Sequence, residues 1–181
     1  MSGNRCRIVY NAPRAKTSLS GLSVHTLYNE VSSAPVTFQG ARAARAVGAL
    51  KGFLTSTRDA MEAYLQASLK RKGSPRTFIA LPRCFWPREW GERYSQPMVE
   101  LDLALFGHPE AGNLWENHAF KRLRPLGWED APEFPSVFRN RRAGSILTCY
   151  VADFELQASF EHTVEHWVEI GKVIVFCFGT S

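Results

Sequence analysis

Two aspartates, Asp59 and Asp153, are placed where this sequence could hold a divalent cation. Asp59 follows Phe53–Arg58, a segment typical of a short strand. Asp153 follows the apolar strand Ile146–Tyr150, and we expect a tight two-residue turn at Ala152-Asp153 before the chain returns as a strand. An acid at the tip of a buried hairpin is unfavourable unless it is solvated or meets a cation. Aspartate is also a common turn residue, so the hairpin alone leaves both interpretations open.

The elements that carry these residues are predicted to be mixed. Apolar residues at i, i+4 and i+7 indicate two helices, one through Ala43, Val47 and Leu50 that ends near Gly52, and a closing one through Phe160, Val164 and Trp167. A third helix is expected after Pro109 and to about Leu123. Strand patterns are expected at residues 7–10, 53–58, 77–81, 136–139, 145–150 and 154–158. Helices set between antiparallel hairpins predict an α+β fold.

Four motifs in a fixed order carry a resemblance to a known family. They are Asp59 with Ala63-Tyr64-Leu65-Gln66-Ala67, then Leu81-Pro82 before a tryptophan-rich loop, then Ala104-Leu105-Phe106-Gly107 with Trp115, and finally Tyr150-Val151-Ala152-Asp153. In this order and at this spacing the series resembles the reverse transcriptase of copia-type LTR retrotransposons. The likeness covers roughly residues 5–167.

The resemblance implies a right-hand polymerase fingers and palm, with residues of about 1–58 fingers-like and about 59–181 palm-like. It implies RNA-directed DNA synthesis, in which deoxynucleotides extend a primer on an RNA or DNA template with Mg²⁺. By the same resemblance, Asp59 and Asp153 would be the catalytic metal ligands and the backbone carbonyl of Ala60 would assist them. Tyr64 would lie beneath the incoming sugar, although a core aromatic is an equally good interpretation. Arg5 and Arg7 are candidates for contacting the triphosphate, because residues two apart on a strand share a face.

Two departures from the family lower the expected activity. Ala152 occupies the position of a principal metal-binding aspartate, and a methyl group cannot coordinate Mg²⁺. No segment follows the closing helix that would correspond to the family's thumb or RNase H domain, so a truncated domain is expected. A second hypothesis is therefore a catalytically inactive, retroelement-derived fragment that binds nucleic acid.

The overall composition agrees with an anionic partner. The net charge is +5, and 16 of the 22 basic residues are Arg, which binds phosphate bidentately and stacks on bases. The four cysteines are widely spaced and no secretory signal pattern is found, so an intracellular protein with reduced thiols is expected. No apolar run is long enough to span a bilayer.

One further motif, His162-Thr163-Val164-Glu165-His166, has the H-x-x-E-H spacing of a zinc peptidase. Such a site needs a third protein ligand well downstream, and few residues remain. A packing helix through Phe160, Val164 and Trp167, with the histidines on its polar side, also explains the segment, and a zinc peptidase is carried only as a third hypothesis.

Overall fold

The computed structural model describes residues 9–10, 33–71, 73 and 75–177 as an α+β fold with an antiparallel sheet. The helices are α1 Phe38–Leu50, α2 Trp90–Arg93, α3 Ala111–Leu123 and α4 Phe160–Gly171. The strands are β1 Leu54–Asp59, β2 Phe78–Ala80, β3 Met98–Glu100, β4 Trp128–Asp130, β5 Val137–Asn140, β6 Ser145–Tyr150 and β7 Asp153–Ala158. Five strands form one antiparallel sheet in the order β1-β7-β6-β5-β4, and β2 pairs with β3 separately. The predicted α+β class with an antiparallel sheet is therefore confirmed.

The main core lies between the sheet and two helices. Residues that alternate along the strands, such as Phe138, Leu147, Phe154 and Leu156, are fully buried against α3 and α4. Trp115 of α3 belongs to this core, and its ring meets the ring of Phe154 edge to face. Lys121 and Arg122 in the last turn of α3 suit the negative end of the helix dipole.

Helix α1 covers the opposite face of the sheet, and it does so with small residues. Its buried positions are Gly40, Ala44 and Gly48, and a Cβ on Gly48 would lie 2.7 Å from the side-chain oxygen of Gln157. The helix itself is confirmed, with Thr37 as its N-cap. The expected buried face is wrong, because Val47 and Leu50 are exposed, the latter by 88%.

Several other expectations need adjustment. The two central turn residues of the β6–β7 hairpin are Val151 and Ala152, and Asp153 is the first residue of β7 rather than a residue of the turn. In α4, Trp167 is buried as expected, whereas Phe160 and Val164 are exposed. The short strand β4 was not predicted.

The strand expected at residues 7–10 is not found in its described part. Val9 and Tyr10 are not in a strand, while Arg5 and Arg7 lie outside the described residues. The backbone N–H of Tyr10 donates to the carbonyl of Phe106 at 2.8 Å. The apolar run near the C-terminus contributes one bridge, between Phe176 and Ala60.

Strand β1 spans residues 54–59, so the expected fingers–palm boundary falls inside a strand of the main sheet. None of the helices in the described segments is long and apolar enough to cross a membrane.

Candidate metal site

Asp59 and Asp153 are direct cross-strand neighbours. Asp59 ends β1, Asp153 begins β7, and the antiparallel register pairs the two residues. Opposed residues of an antiparallel pair project from the same face of the sheet, with Cβ atoms about 4.5–5.5 Å apart. Both side chains are exposed. The folding of two distant segments therefore brings together the two carboxylates predicted from the sequence.

Like charges directly opposite each other destabilise a sheet. None of the ion pairs formed by the described residues includes Asp59 or Asp153. The neighbouring carboxylate on the same face, that of Glu155, does have a paired cation. It accepts two hydrogen bonds from the guanidinium group of Arg45 of α1, one of them at 2.8 Å. Among the residues that the structure describes, the aspartate pair thus has no paired cation, and a bound metal ion would neutralise its negative charge.

The backbone beside the pair is tightly held. The N–H of Ala60 donates to the carbonyl of Ala152 at 2.8 Å, which joins the end of β1 to the hairpin turn. On its other side, Asp59 accepts a backbone hydrogen bond from Cys177 at 2.8 Å. The thiol of Cys177 donates to the Asp59 carboxylate at 3.3 Å. No sequence pattern connects Cys177 with Asp59, because nothing in an apolar C-terminal run marks one thiol as a neighbour of a distant acid.

The hairpin turn has an unusual backbone conformation, and two side chains donate hydrogen bonds to it. Val151 has a φ of 56°, in the left-handed region, where a β-branched residue is strained by about 1–3 kcal/mol. The indole N–H of Trp115 donates to the Val151 carbonyl at 2.6 Å. The thiol of Cys149 donates to the same carbonyl at 3.4 Å. Burial is the main reason that the pKa of this thiol is raised to about 12, so the thiol stays protonated. Trp115 was predicted as part of a motif, but its contact with the turn was not.

Ala152 is the position where the site departs from the metal-binding pattern that the sequence resembles. Its side chain is partly buried and packs against the main core. Within the described residues, no group of three or more His, Cys, Asp or Glu is arranged to hold a metal ion. Among the described residues, the site therefore offers the two carboxylates of Asp59 and Asp153.

Two carboxylates do fit one hard divalent cation, since Mg²⁺ in proteins is usually held by one or two carboxylates with water and substrate phosphates completing its shell. The observation that tests this fit is the exposed, uncompensated pair Asp59–Asp153. A second cation would find no further protein carboxylate at the turn, because that position is Ala152.

Tyr64 follows Asp59 by five residues in the sequence and is partly buried in the core. It belongs to the 3₁₀ helix Ala63–Gln66 and packs against the main core and against a second group of buried residues, which consists of Ala67, Leu69, Ala104, Ala111 and Leu114. Its ring centroid is 5.8 Å from that of Phe106, and burial raises the pKa of its phenol. These contacts describe the core role; the role beneath a sugar stays a prediction.

The two histidines of the H-x-x-E-H motif are used in packing. His162 shares a hydrogen bond of 2.8 Å with the hydroxyl of Ser159, the N-cap of α4. His166 is buried, contacts the hydroxyl of Ser145 at 3.1 Å and packs on the ring of Trp128. The absence of a three-ligand group in the described segments applies to these histidines as well.

Comparisons of the chain with protein-family models, with curated proteins and with solved structures give no match.

Proposed function

We propose that this chain is a reverse-transcriptase-like domain of the copia-type retrotransposon kind, in which Asp59 and Asp153 bind a divalent cation and Ala152 impairs RNA-directed DNA synthesis. The observation that carries the proposal is the cross-strand pairing of Asp59 with Asp153. Two distant sequence motifs, identified separately by resemblance, meet at one point of one sheet. The antiparallel sheet with two helices on one face is the kind of scaffold that a polymerase palm requires.

The residues of the pair have separate tasks in this proposal. Asp59 lies on a strand end fixed by hydrogen bonds on both sides, so it provides the rigid ligand. Asp153 lies beside the strained turn and provides the second ligand. A bound Mg²⁺ would supply charge stabilisation for the attacking hydroxyl and the departing pyrophosphate. Ala60 holds the turn through its N–H, and Arg5 and Arg7 remain proposed contacts of the triphosphate.

The missing carboxylate at Ala152 limits the rate. A ligand to a two-metal site acts mainly in the transition state, so its loss reduces kcat by several orders of magnitude. We therefore expect a purified protein without detectable primer extension. The Ala152→Asp variant restores the third carboxylate and is expected to gain extension of a DNA primer on an RNA template, in the presence of Mg²⁺ or Mn²⁺ and deoxynucleotides.

The second candidate function is nucleic-acid binding without catalysis, and Ala152 itself favours it. The two functions are separated by comparing Ala152→Asp with the double variant Ala152→Asp/Asp59→Asn. Extension that appears in the first and disappears in the second supports the impaired polymerase. Nucleic-acid binding by both variants without extension by either leaves the binding fragment as the function.

A further inference from the structure

Helix α4 exposes a row of large apolar side chains. Phe160, Val164 and Val168 are 78%, 66% and 55% exposed, and they follow one another at intervals of four residues. Residues four apart lie one above the other on a helix, so the three form a continuous row, which we call the α4 stripe. The helix is anchored to the main core by Trp167 and Ile170, so the folding of one chain leaves the stripe exposed. A contiguous apolar row of this kind is typical of a surface that another protein covers.

A row of carboxylates runs beside the stripe. Each residue of the stripe is followed at the next position by a glutamate, namely Glu161, Glu165 and Glu169. This spacing places the glutamates about 100° further round the helix. None of the ion pairs formed by the described residues includes any of them. Helix α4 contains no Lys or Arg, and Lys172 at its C-cap is the one basic residue that adjoins it in sequence.

The nearest cation from another element is on the other side of α4. Arg58 of β1 lies over the ring of Trp167, 5.2 Å from its centroid. Trp167 is two residues after Glu165, which places the two side chains about 200° apart around the helix axis. Arg58 is therefore separated from the row of glutamates, and that row keeps its negative charge beside the stripe.

Helix α1 has the opposite charge and an exposed aromatic ring. It contains Arg42 and Arg45 and no acidic residue. Arg45 is paired with Glu155, whereas Arg42 belongs to none of the ion pairs of the described residues. The Arg42 guanidinium lies over the ring of Phe38, 5.3 Å from its centroid, and Phe38 is 73% exposed. The outward side of α1 therefore presents an apolar ring and a cation together.

The two helices of one chain cannot meet, because they lie on opposite faces of the main sheet. Helix α1 lies over Glu155 and Gln157 of β7, whereas the indole N–H of Trp167 in α4 donates to the hydroxyl of Ser56 at 3.0 Å. Thr57 is the cross-strand partner of Glu155, and neighbouring residues of a strand point to opposite faces. A contact between α1 and α4 therefore requires two chains.

We propose that the α4 stripe of one chain docks on α1 of a second copy, with Phe38 against the stripe and Arg42 beside the row of glutamates. Ala46 and Ala49 share the exposed side of α1, and their small side chains let a helix approach closely. The contact joins different surfaces of two copies, so it is heterologous and builds a ring or an open chain. Helices of 13 and 12 residues offer less area than a standard interface, so the association is weak and depends on concentration and salt.

The test is sedimentation velocity of the purified chain in EDTA, from about 5 to about 200 µM and at low and high salt. We expect self-association that increases with concentration and decreases with salt. Val164→Gln removes an exposed apolar side chain, and Glu165→Arg and Arg42→Glu each place like charges in contact. Each of the three is expected to weaken self-association about tenfold or more. Glu92→Arg, the same charge change on an exposed residue of α2, is the matched control and is expected to associate like the unmodified protein.

The double variant Arg42→Glu/Glu165→Arg exchanges the two charges and is expected to restore self-association. Three results would overturn the proposal. A chain that stays monomeric over the whole range would exclude a second copy as the partner of the stripe. Loss of association in Val164→Gln that Arg42→Glu does not share, or a double variant no better than the single ones, would exclude α1. Circular dichroism of each variant verifies that the helices are intact, so a loss of association is assigned to the contact itself.

Discussion

Asp59 and Asp153 face each other across the β1–β7 ladder with no cation paired to either among the described residues. This arrangement has an energetic signature of its own. Replacing one charge with an isosteric amide removes repulsion, so Asp59→Asn is expected to raise the free energy of unfolding by roughly 0.2–1 kcal/mol in EDTA. Urea denaturation of the variant and of the unmodified protein at low ionic strength measures this change in the free energy of unfolding. Destabilisation by Asp59→Asn in EDTA would show that the negative charge is already compensated.

The hydrogen bond from Trp115 to the hairpin turn can be tested against a natural control. Trp115→Phe leaves the partly buried carbonyl of Val151 without its best donor and is expected to cost about 1–3 kcal/mol beyond the change in volume. Trp128→Phe makes the same change at a buried indole whose N–H has no partner in the described structure. The difference between the two free energies of unfolding isolates the Trp115 hydrogen bond. Equal losses would mean that this bond does not hold the turn.

The packing of α1 through small residues makes a prediction that opposes helix propensity. Gly48→Ala improves the intrinsic helix preference but places a methyl group 2.7 Å from Gln157, so the protein is expected to lose stability. Gly171→Ala, at the end of α4, meets no atom within 4 Å and is expected to gain up to about 1 kcal/mol. Thermal unfolding of the two variants compares them directly. A gain in both would show that α1 does not lie closely on the sheet.

Burial of His166 should make stability depend on pH. Burial lowers the pKa of His166, and the neighbouring His162 lowers it further, while Glu165 and Glu169 act in the opposite direction. Below the ordinary histidine pKa of about 6.5, His166 becomes protonated in the unfolded chain but stays neutral in the folded chain, because its folded pKa is lower. Stability is therefore complete above that pH and falls as the pH decreases toward the folded pKa, by up to about 1.4 kcal/mol per unit.

The contribution of His166 is measured with His166→Gln, by urea denaturation at pH 7.5 and 5.5. The variant is expected to lose less stability on acidification than the unmodified protein. Some dependence is expected to persist, because burial also lowers the pKa of His108. If the free energy of unfolding changes between pH 7.5 and pH 5.5 by the same amount in His166→Gln and in the unmodified protein, His166 does not titrate in this range.

The elements that the sequence predicted well are those with strong local signals. Strand β6 was predicted with its observed bounds, because an apolar run lies between a glycine turn and the hairpin. The helix α1 was also found, but its inward face was not. That face is made of glycine and alanine, which carry no apolar signal, and it lies on polar residues such as Gln157.

The candidate site shows the same division between local and long-range information. Each aspartate could be identified from its own segment, and the resemblance supplied the expectation that they meet. The register that opposes them depends on how β1 pairs with β7, which no local pattern specifies. The contacts of Cys177 and Trp115 arise from packing between segments far apart in the chain, so residue type alone could not reveal them.

The most direct test of the central claim is Mn²⁺ binding to the aspartate pair, followed by the electron paramagnetic resonance signal of the free ion. The unmodified protein is predicted to bind Mn²⁺ weakly, Ala152→Asp more tightly, and Asp59→Asn not measurably. Ala143→Asp, a partly buried position in another turn, is the control for added charge. Equal Mn²⁺ affinity in Asp59→Asn and the unmodified protein, or no gain in Ala152→Asp, would contradict the account.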